Sequence, residues 1–366
     1  MAGHRIEKIE LFPVRIPYPR PMQWASLSET AADYMILRLT TDTGLSGIAE
    51  GTVKTTWNGT TLRSLAVVFG ELFEGNLKGL DVDDEKAIGA LWRPKEHSLA
   101  KAMIDVALWD IRSQAAGRAL WRIWDGAPEA AVSWVVTRQA PAKMAGEAAD
   151  VVGRYGFGTL KVKGGQGIET DVAALGEIRA AVGDGVRIYV DPNQAYDTAE
   201  TPGYCRRLAD LGVIMVEDPC PYLPDAAFTR LQETCVLPLL VDGTCRDFAA
   251  ASLYVERGAR ALNLKLLKAR GYSENWRIVR HATERGVDVN IGLFGESSLG
   301  ALAALQISAA LPKGRYNLPS EATLFLLLPD EFVHQPLAIE GGRIRLPDRP
   351  GFGWMVDWDK VRRLAP

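Results

Sequence analysis

RIYVDPN (187–193), IMVEDP (214–219) and LLVDGT (239–244) each close an apolar run on an acidic residue: Asp191, Glu217 and Asp242. The acids stand 26 and 25 residues apart, about one strand-plus-helix unit each. Lysines extend the series on both sides, Lys161 and Lys163 in LKVKGG (160–165) and Lys265 in LNLKLL (262–267). A single helix or sheet edge cannot produce that order. A barrel of parallel strands can, because it aims the C-terminal end of every strand at one mouth. The spacing therefore predicts three carboxylates around a cation with ammonium groups on either side, a site for making and quenching a carbanion next to a carboxylate.

Working outward, strand-like runs recur at 132–137, 160–164, 187–191, 214–217, 239–242, 261–266 and 287–292, with alanine-rich helical segments between them. Alternation at this period predicts βα units and a parallel sheet. An eighth run, near RYNLPSE (315–321), is weak and irregular. Before the barrel, YMILRLTTDTGLSGIAEG (34–51) reads as a hairpin turning at Asp42-Thr43-Gly44. SLAKAMIDVALWDIRSQAAGRAL (98–120) reads as a long helix with Ser98 as its N-cap and Gly117 as a break near its end. The expected fold is α/β: a modified TIM barrel of the (β/α)7β type at 127–328, an N-terminal α+β capping domain at 1–126, and a C-terminal segment, 329–366, returning to the cap.

Three carboxylates with no histidine or cysteine in the pattern are hard oxygen ligands, which favour magnesium, or manganese, over zinc. Asn193 is placed to orient a ligand or a metal-bound water, and Asp218, directly after Glu217, to support the ligands from behind. Lys161 and Lys163 point to the same side of their strand, since side chains alternate with period two. Lys163 lies nearer the mouth and is the better base, and Lys161 is placed to hold the substrate carboxylate and lower the pKa of Lys163 by like-charge repulsion. Lys265 sits on a well-separated strand. Two bases on opposite faces permit racemisation; one base with one counter-cation permits cycloisomerisation or elimination. Lys268 is three residues beyond Lys265 and reads equally as a surface or structural lysine.

The 366 residues carry a formal net charge of −3, with 47% hydrophobic and 24% charged residues. This gives no electrostatic case for a nucleic-acid partner. Cys205, Cys220, Cys235 and Cys245 lack zinc-like spacing and read as reduced thiols of a cytoplasmic protein. The run LGALAALQISAAL (299–311) is interrupted by Gln306 and Ser308 and reads as a packed helix, so no membrane association is expected. The expected partners are a small carboxylate substrate and further copies of the chain.

These motifs together resemble the enolase superfamily, specifically the mandelate racemase and muconate lactonizing enzyme group, over nearly the whole chain. The resemblance equates Lys161-Val162-Lys163 with the family's lysine–x–lysine motif, whose second lysine is the base. It equates Asp191, Glu217 and Asp242 with the metal-ligand trio. Lys265 matches the sixth-strand lysine of the lactonizing and dipeptide-epimerase branch. The histidine-dependent branch would place histidine where Gly292 stands and aspartate where Lys265 stands. None of His4, His97, His281 or His334 fits it. Glu296 matches an acidic residue near the seventh strand end, implied to bond the substrate or a lysine.

Two departures stand out. Asp242 is followed by Gly243 and Thr244 where the family commonly has glutamate and serine, which removes a negative charge from the mouth. Ala269-Arg270-Gly271 replaces a double glycine, so Arg270 either binds a second substrate anion or lies on the rim. The Asp-x-Asp of dipeptide epimerases is also missing. In the family, loops of the cap close over the mouth. The matching segments are PRPMQWASLSE (19–29) and TVKTTWNGTT (52–61), which put Trp24, Thr55, Trp57 and Asn58 forward as substrate contacts. The resemblance implies a magnesium-dependent isomerase, a muconate-type cycloisomerase or a racemase/epimerase. An acid-sugar or hydroxy-acid dehydratase with the same base and metal is the alternative, followed by a non-catalytic binding protein.

Overall fold

The computed structural model describes residues 3–23 and 28–366. The chain begins with three antiparallel strands, β1 (Ile6–Gln23), β2 (Ser28–Thr41) and β3 (Ser46–Val53). β2 and β3 form the expected hairpin, and Gly44 turns it at φ +83°, a conformation glycine adopts without steric cost. The helix Ser98–Ala115 lies across β3. A Cβ on Gly47 would fall 2.1 Å from the Ala107 carbonyl oxygen, and one on Gly51 would fall 2.4 Å from Met103 Sδ. Glycine at both positions lets strand and helix touch. The helix stops at Ala115, before the expected end at 120, because Gly117 takes a left-handed φ of +63°. Ser98 is its first residue, and His97 rather than Ser98 holds the capping position.

A short strand, β4 (Glu129–Ala131), then begins the barrel half, and seven parallel strands follow: β5 (Trp134–Val136), β6 (Thr159–Lys163), β7 (Arg187–Asp191), β8 (Val213–Glu217), β9 (Leu239–Val241), β10 (Ala261–Leu264) and β11 (Asp288–Ile291). They lie side by side in sequence order. The eighth place is filled without a regular strand. Ser133 N donates to the Ser320 carbonyl at 2.9 Å, and Glu321 N donates to the Ile291 carbonyl at 3.2 Å. The segment around 320 thus bridges β11 and the entry to β5 and closes the ring. β12 (Arg343–Arg345) returns to pair with β4.

Period-two alternation sorts the strand side chains. Leu160, Val162, Ile188, Val190, Val216, Leu239, Val241, Leu262 and Leu264 join the main core that includes the helices. The alternate residues point inward. Tyr189, Met215, Leu240 and Ala261 form a separate apolar cluster inside the ring. Two residues further along the same strands stand Asp191, Glu217, Asp242 and Asn263. The barrel thus has an apolar floor, and its polar layer sits directly above.

The cap is fastened to the barrel by buried polar bonds. Glu50 of β3 accepts from Ser297 N at 3.1 Å, Gly300 N at 3.2 Å and the Ser297 hydroxyl, at the start of the helix Ser298–Ser308. Tyr34 donates its hydroxyl to the Gly295 carbonyl at 2.9 Å. Both bonds hold the loop after β11 from behind. The C-terminal helix Trp358–Arg363 lies on β1, where the Trp358 and Phe12 ring centroids are 4.9 Å apart. No described helix is long and apolar enough to cross a membrane. The four cysteines are buried and unpaired.

Removing the Glu50 carboxylate strands buried amide donors at the start of that helix. Glu50→Ala is expected to lower stability by about 2–4 kcal/mol, read from the denaturant midpoint; an unchanged midpoint contradicts this role. Asp110, buried against β3, accepts from Ile48 N at 2.7 Å, and burial pushes its carboxyl up to about 8. Its folded pKa is raised, so the folded state keeps a proton that the unfolded chain releases. Its contribution therefore falls as pH rises from about 4 to about 8, by up to about 1.4 kcal/mol per pH unit. Asp110→Asn is expected to flatten the stability–pH profile over that window. Identical wild-type and variant slopes contradict it.

Candidate active site

β7 and β8 end on Asp191 and Glu217, and Asp242 directly follows β9. Lys163 ends β6 and Lys265 follows β10, so the two lysines flank the three carboxylates around the ring. Lys161 stands one inward step below Lys163. Its ammonium lies 2.7 Å from Glu217, 3.1 Å from Asp191 and 3.1 Å from Glu321, and its side chain is 2% exposed. Lys163 reaches Asp191 at 2.7 Å and donates to Asn193 Oδ1 at 3.2 Å. Lys265 and Lys268 take one oxygen each of Asp242, both at 2.6 Å.

Burial and neighbouring charge compete at each of these groups. Burial opposes ionisation of Asp191, but the ammonium groups of Lys161 and Lys163 overcome it and bring its pKa down to about 2. Burial also opposes ionisation of Asp242, and Lys265, Lys268 and Lys161 together hold it below the usual carboxylate range. Glu217 moves the other way. Burial raises it most; Lys161 works against the rise, and the negative charges of Asp191, Glu321 and Asp242 add to it. Burial works against the Lys161 cation, but Asp191, Glu217 and Glu321 hold it well above an ordinary lysine. Lys265 is likewise raised, by Asp242 against burial.

The supporting residues are tied to the same layer. Asp218 accepts from Asp242 N at 3.0 Å, Gly243 N at 2.7 Å and the Tyr222 hydroxyl at 2.5 Å, so it fixes the turn that carries Asp242. Asn193 holds Asp191 through its backbone N at 2.9 Å and its Nδ2 at 3.2 Å. Asn263 donates from Nδ2 to Glu217 and to Glu321, both at 3.0 Å.

Two neighbouring cavities lie at this layer. The inner one, about 50 Å³, is bounded by Lys161, Lys163, Lys265 and Glu321 on its polar side and by Val135, Leu293 and Leu324 on its apolar side. Lys54 and Glu29 of the cap, paired with each other, also line it. The outer cavity, about 730 Å³, lies between the cap and the loops after β7, β8 and β9. Trp57 and Phe294 border both. Their rings meet edge to face, with centroids 5.8 Å apart, and the Lys265 ammonium lies 4.4 Å from the Trp57 ring centre and 5.1 Å from that of Phe294.

Some expected contacts are placed elsewhere. Thr55 begins the single turn Thr55–Asn58 and faces an outer cleft with Arg15 and Asp33, because each helical step rotates the side chain by about 100° and leaves Thr56 and Trp57 toward the mouth. Asn58 borders the outer cavity but uses its side chain to brace its own loop, on Thr52 O at 3.1 Å and on Lys54 N and Thr60 N at 3.3 Å. Arg270 has a left-handed backbone, φ +58°, that carries its side chain to Asp247 at 3.5 Å, and it borders neither cavity. Glu296 bonds no lysine among the described residues. It accepts from Phe294 N and Gly295 N of its own loop, and burial raises its pKa. Trp24 lies outside the described residues.

Glu321, Asn263 and Lys268 are the members the sequence reading missed. Asn263 carried a signal, being two residues before Lys265 on the same strand face. Lys268 reaches Asp242 because the chain turns back after β10, with Ala269 N bonded to the Lys265 carbonyl at 3.1 Å. Glu321 follows an irregular segment that has no period to read.

Among the described residues, no three His, Cys, Asp or Glu side chains form a ready-made metal cage. The Lys161 ammonium stands between Asp191 and Glu217 instead. The donor set nevertheless fits a hard divalent cation. All its atoms are carboxylate oxygens, from three adjacent strands. Glu217 Oε2 is buried with the Lys161 ammonium 2.7 Å away, and burial, together with the negative charges of Asp191, Glu321 and Asp242, pushes its carboxyl toward the protonated form, which a divalent cation relieves.

Residues 143–360 match the family described as Enolase C-terminal domain-like, and residues 8–124 match the Mandelate racemase / muconate lactonizing enzyme N-terminal domain. The chain is 28% identical to the chloromuconate cycloisomerase CbnB of Cupriavidus necator, over 99% of both chains. It is 27% identical to the L-Ala-D/L-Glu epimerase of Bacillus subtilis, over 95% of this chain and 96% of the other. Its fold superposes on a muconate lactonizing enzyme from Mycobacterium smegmatis, solved with muconolactone, at a TM-score of 0.93 and 28% identity, covering 99% of this chain and 100% of that one. With both domains matched and relatives spanning its length, the chain belongs to the muconate-lactonizing-enzyme-like branch of the enolase superfamily.

Proposed function

We propose that the chain is a magnesium-dependent isomerase that removes the proton α to a substrate carboxylate, as a muconate-type cycloisomerase or a racemase/epimerase. The observation that carries this is the placement of Lys163 and Lys265 at the C-terminal ends of β6 and β10, on either side of the carboxylates of β7, β8 and β9. Relatives at 27–28% identity are a cycloisomerase and an epimerase, and both reactions move a proton next to a carboxylate.

In this reading Asp191, Glu217 and Asp242 hold magnesium, or manganese, with Asn193 and Asp218 orienting them. The metal supplies a Lewis acid for the negative charge that develops on the substrate carboxylate once the α-proton leaves. Lys163 takes that proton. Lys265 faces the opposite side of the substrate and returns a proton there, or holds its charge against the developing anion. Lys161 and Glu321 anchor the layer from below. The apolar wall of Val135, Leu293 and Leu324, with Trp57 and Phe294 above, keeps water from the reacting carbon. Residues 1–126 act as the cap, 127–328 as the catalytic barrel and 329–366 as the strap between them. The four buried free cysteines support a reducing, cytoplasmic setting, and the working form is a homo-oligomer.

The test is exchange of the α-proton in deuterium oxide with magnesium, across hydroxy acids, amino-acid derivatives and muconates. Lys163→Ala is expected to lower turnover of the responsive substrate at least about 100-fold, while calorimetry shows magnesium affinity unchanged. A variant that retains most of the wild-type rate removes Lys163 as the base.

A further inference from the structure

The outer cavity is far larger than the inner one, and its floor has an unusual composition. Gly243, directly after Asp242, lies there between Gln194 and Arg246. A Cβ on Gly243 would meet Asp218 Oδ2 at 3.0 Å and Gln194 Nε2 at 3.4 Å, so a larger residue would crowd this floor. Gln194 has a left-handed backbone, φ +60°, and its side-chain amide makes no hydrogen bond among the described residues. Arg246 spends only its Nε, on the Gly243 carbonyl at 3.2 Å. Among the described residues its guanidinium has no ion-pair partner.

Two of the other charges of this cavity are committed. Asp218 is saturated by two backbone amides and the Tyr222 hydroxyl, and Lys268 is bound to Asp242. Glu96, on the cap side, is exposed and makes no ion pair among the described residues. The floor therefore offers a planar cation with open donors and a free amide beside it, in a cavity that shares Thr56, Trp57 and Phe294 with the inner one. A guanidinium with both terminal nitrogens available is suited to a carboxylate.

We propose that Arg246 and Gln194 form a distal subsite for a second carboxylate, borne on an arm that extends from the reacting carbon into the outer cavity. This rests on the isomerase reading and narrows its substrate class to carboxylates with such an anionic arm.

N-glutarylalanine and N-pentanoylalanine differ in the terminal carboxylate of equally long arms. Calorimetry with magnesium present, which needs no turnover, is expected to show the wild type favouring the glutaryl compound about 10- to 100-fold. Arg246→Ala is expected to erase that preference and leave the pentanoyl affinity unchanged; Gln194→Ala is expected to reduce it. Arg246 is exposed, so its removal leaves the core intact. Equal binding of both compounds by the wild type, or a preference that survives Arg246→Ala, overturns the subsite. An Arg246-dependent preference without α-proton exchange on any carboxylate supports the subsite and overturns the isomerase reading instead.

Discussion

The Lys161 ammonium, 2.7 Å from Glu217 and 3.1 Å from both Asp191 and Glu321, is buried at the centre of the barrel. Burying a charge is costly unless it is paired, and removing one partner of a buried pair leaves the other uncompensated. The interior layer meets this constraint collectively. Asp191, Glu217, Asp242 and Glu321 face Lys161, Lys163, Lys265 and Lys268, four acidic and four basic side chains. The balance is uneven from place to place. Asp191 and Asp242 are held ionised by their lysines, while burial, with the like charges around it, drives Glu217 toward protonation. A cation entering beside Glu217 relieves the least comfortable charge in the layer.

Much else serves to hold that layer in register. The apolar floor of Tyr189, Met215, Leu240 and Ala261 sets the depth at which the next inward residues appear. Asp218 and Asn193 fix the turns that carry Asp242 and Asp191. From outside the barrel, Glu50 and Tyr34 brace the loop that carries Leu293 and Phe294 over Lys265. The cap thereby shapes the mouth through rigid bonds as well as through the loops that border it.

The legible part of the sequence was the part governed by period. Apolar runs ending on Asp191, Glu217 and Asp242 place those acids at one end of parallel strands, and Lys161 and Lys163 share a face by alternation alone. The same alternation would have found Asn263. The illegible part depended on segments with no period. Glu321 reaches the interior because an irregular stretch bridges β11 and β5, which no pattern in RYNLPSE announces. Thr55 and Arg270 turn away because of one helical step and one left-handed residue, respectively. Side-chain direction in a loop is set by such local torsions, and spacing does not encode them.

We propose that the acids of β7, β8 and β9 form a cation site whose charge Lys161 balances. Anomalous diffraction from crystals grown with manganese tests it most directly. One strong peak in contact with Asp191, Glu217 and Asp242, with Lys161 retaining Glu321, is the expected result. A layer with no peak, or a peak bound elsewhere while Lys161 still bridges Asp191 and Glu217, would contradict it.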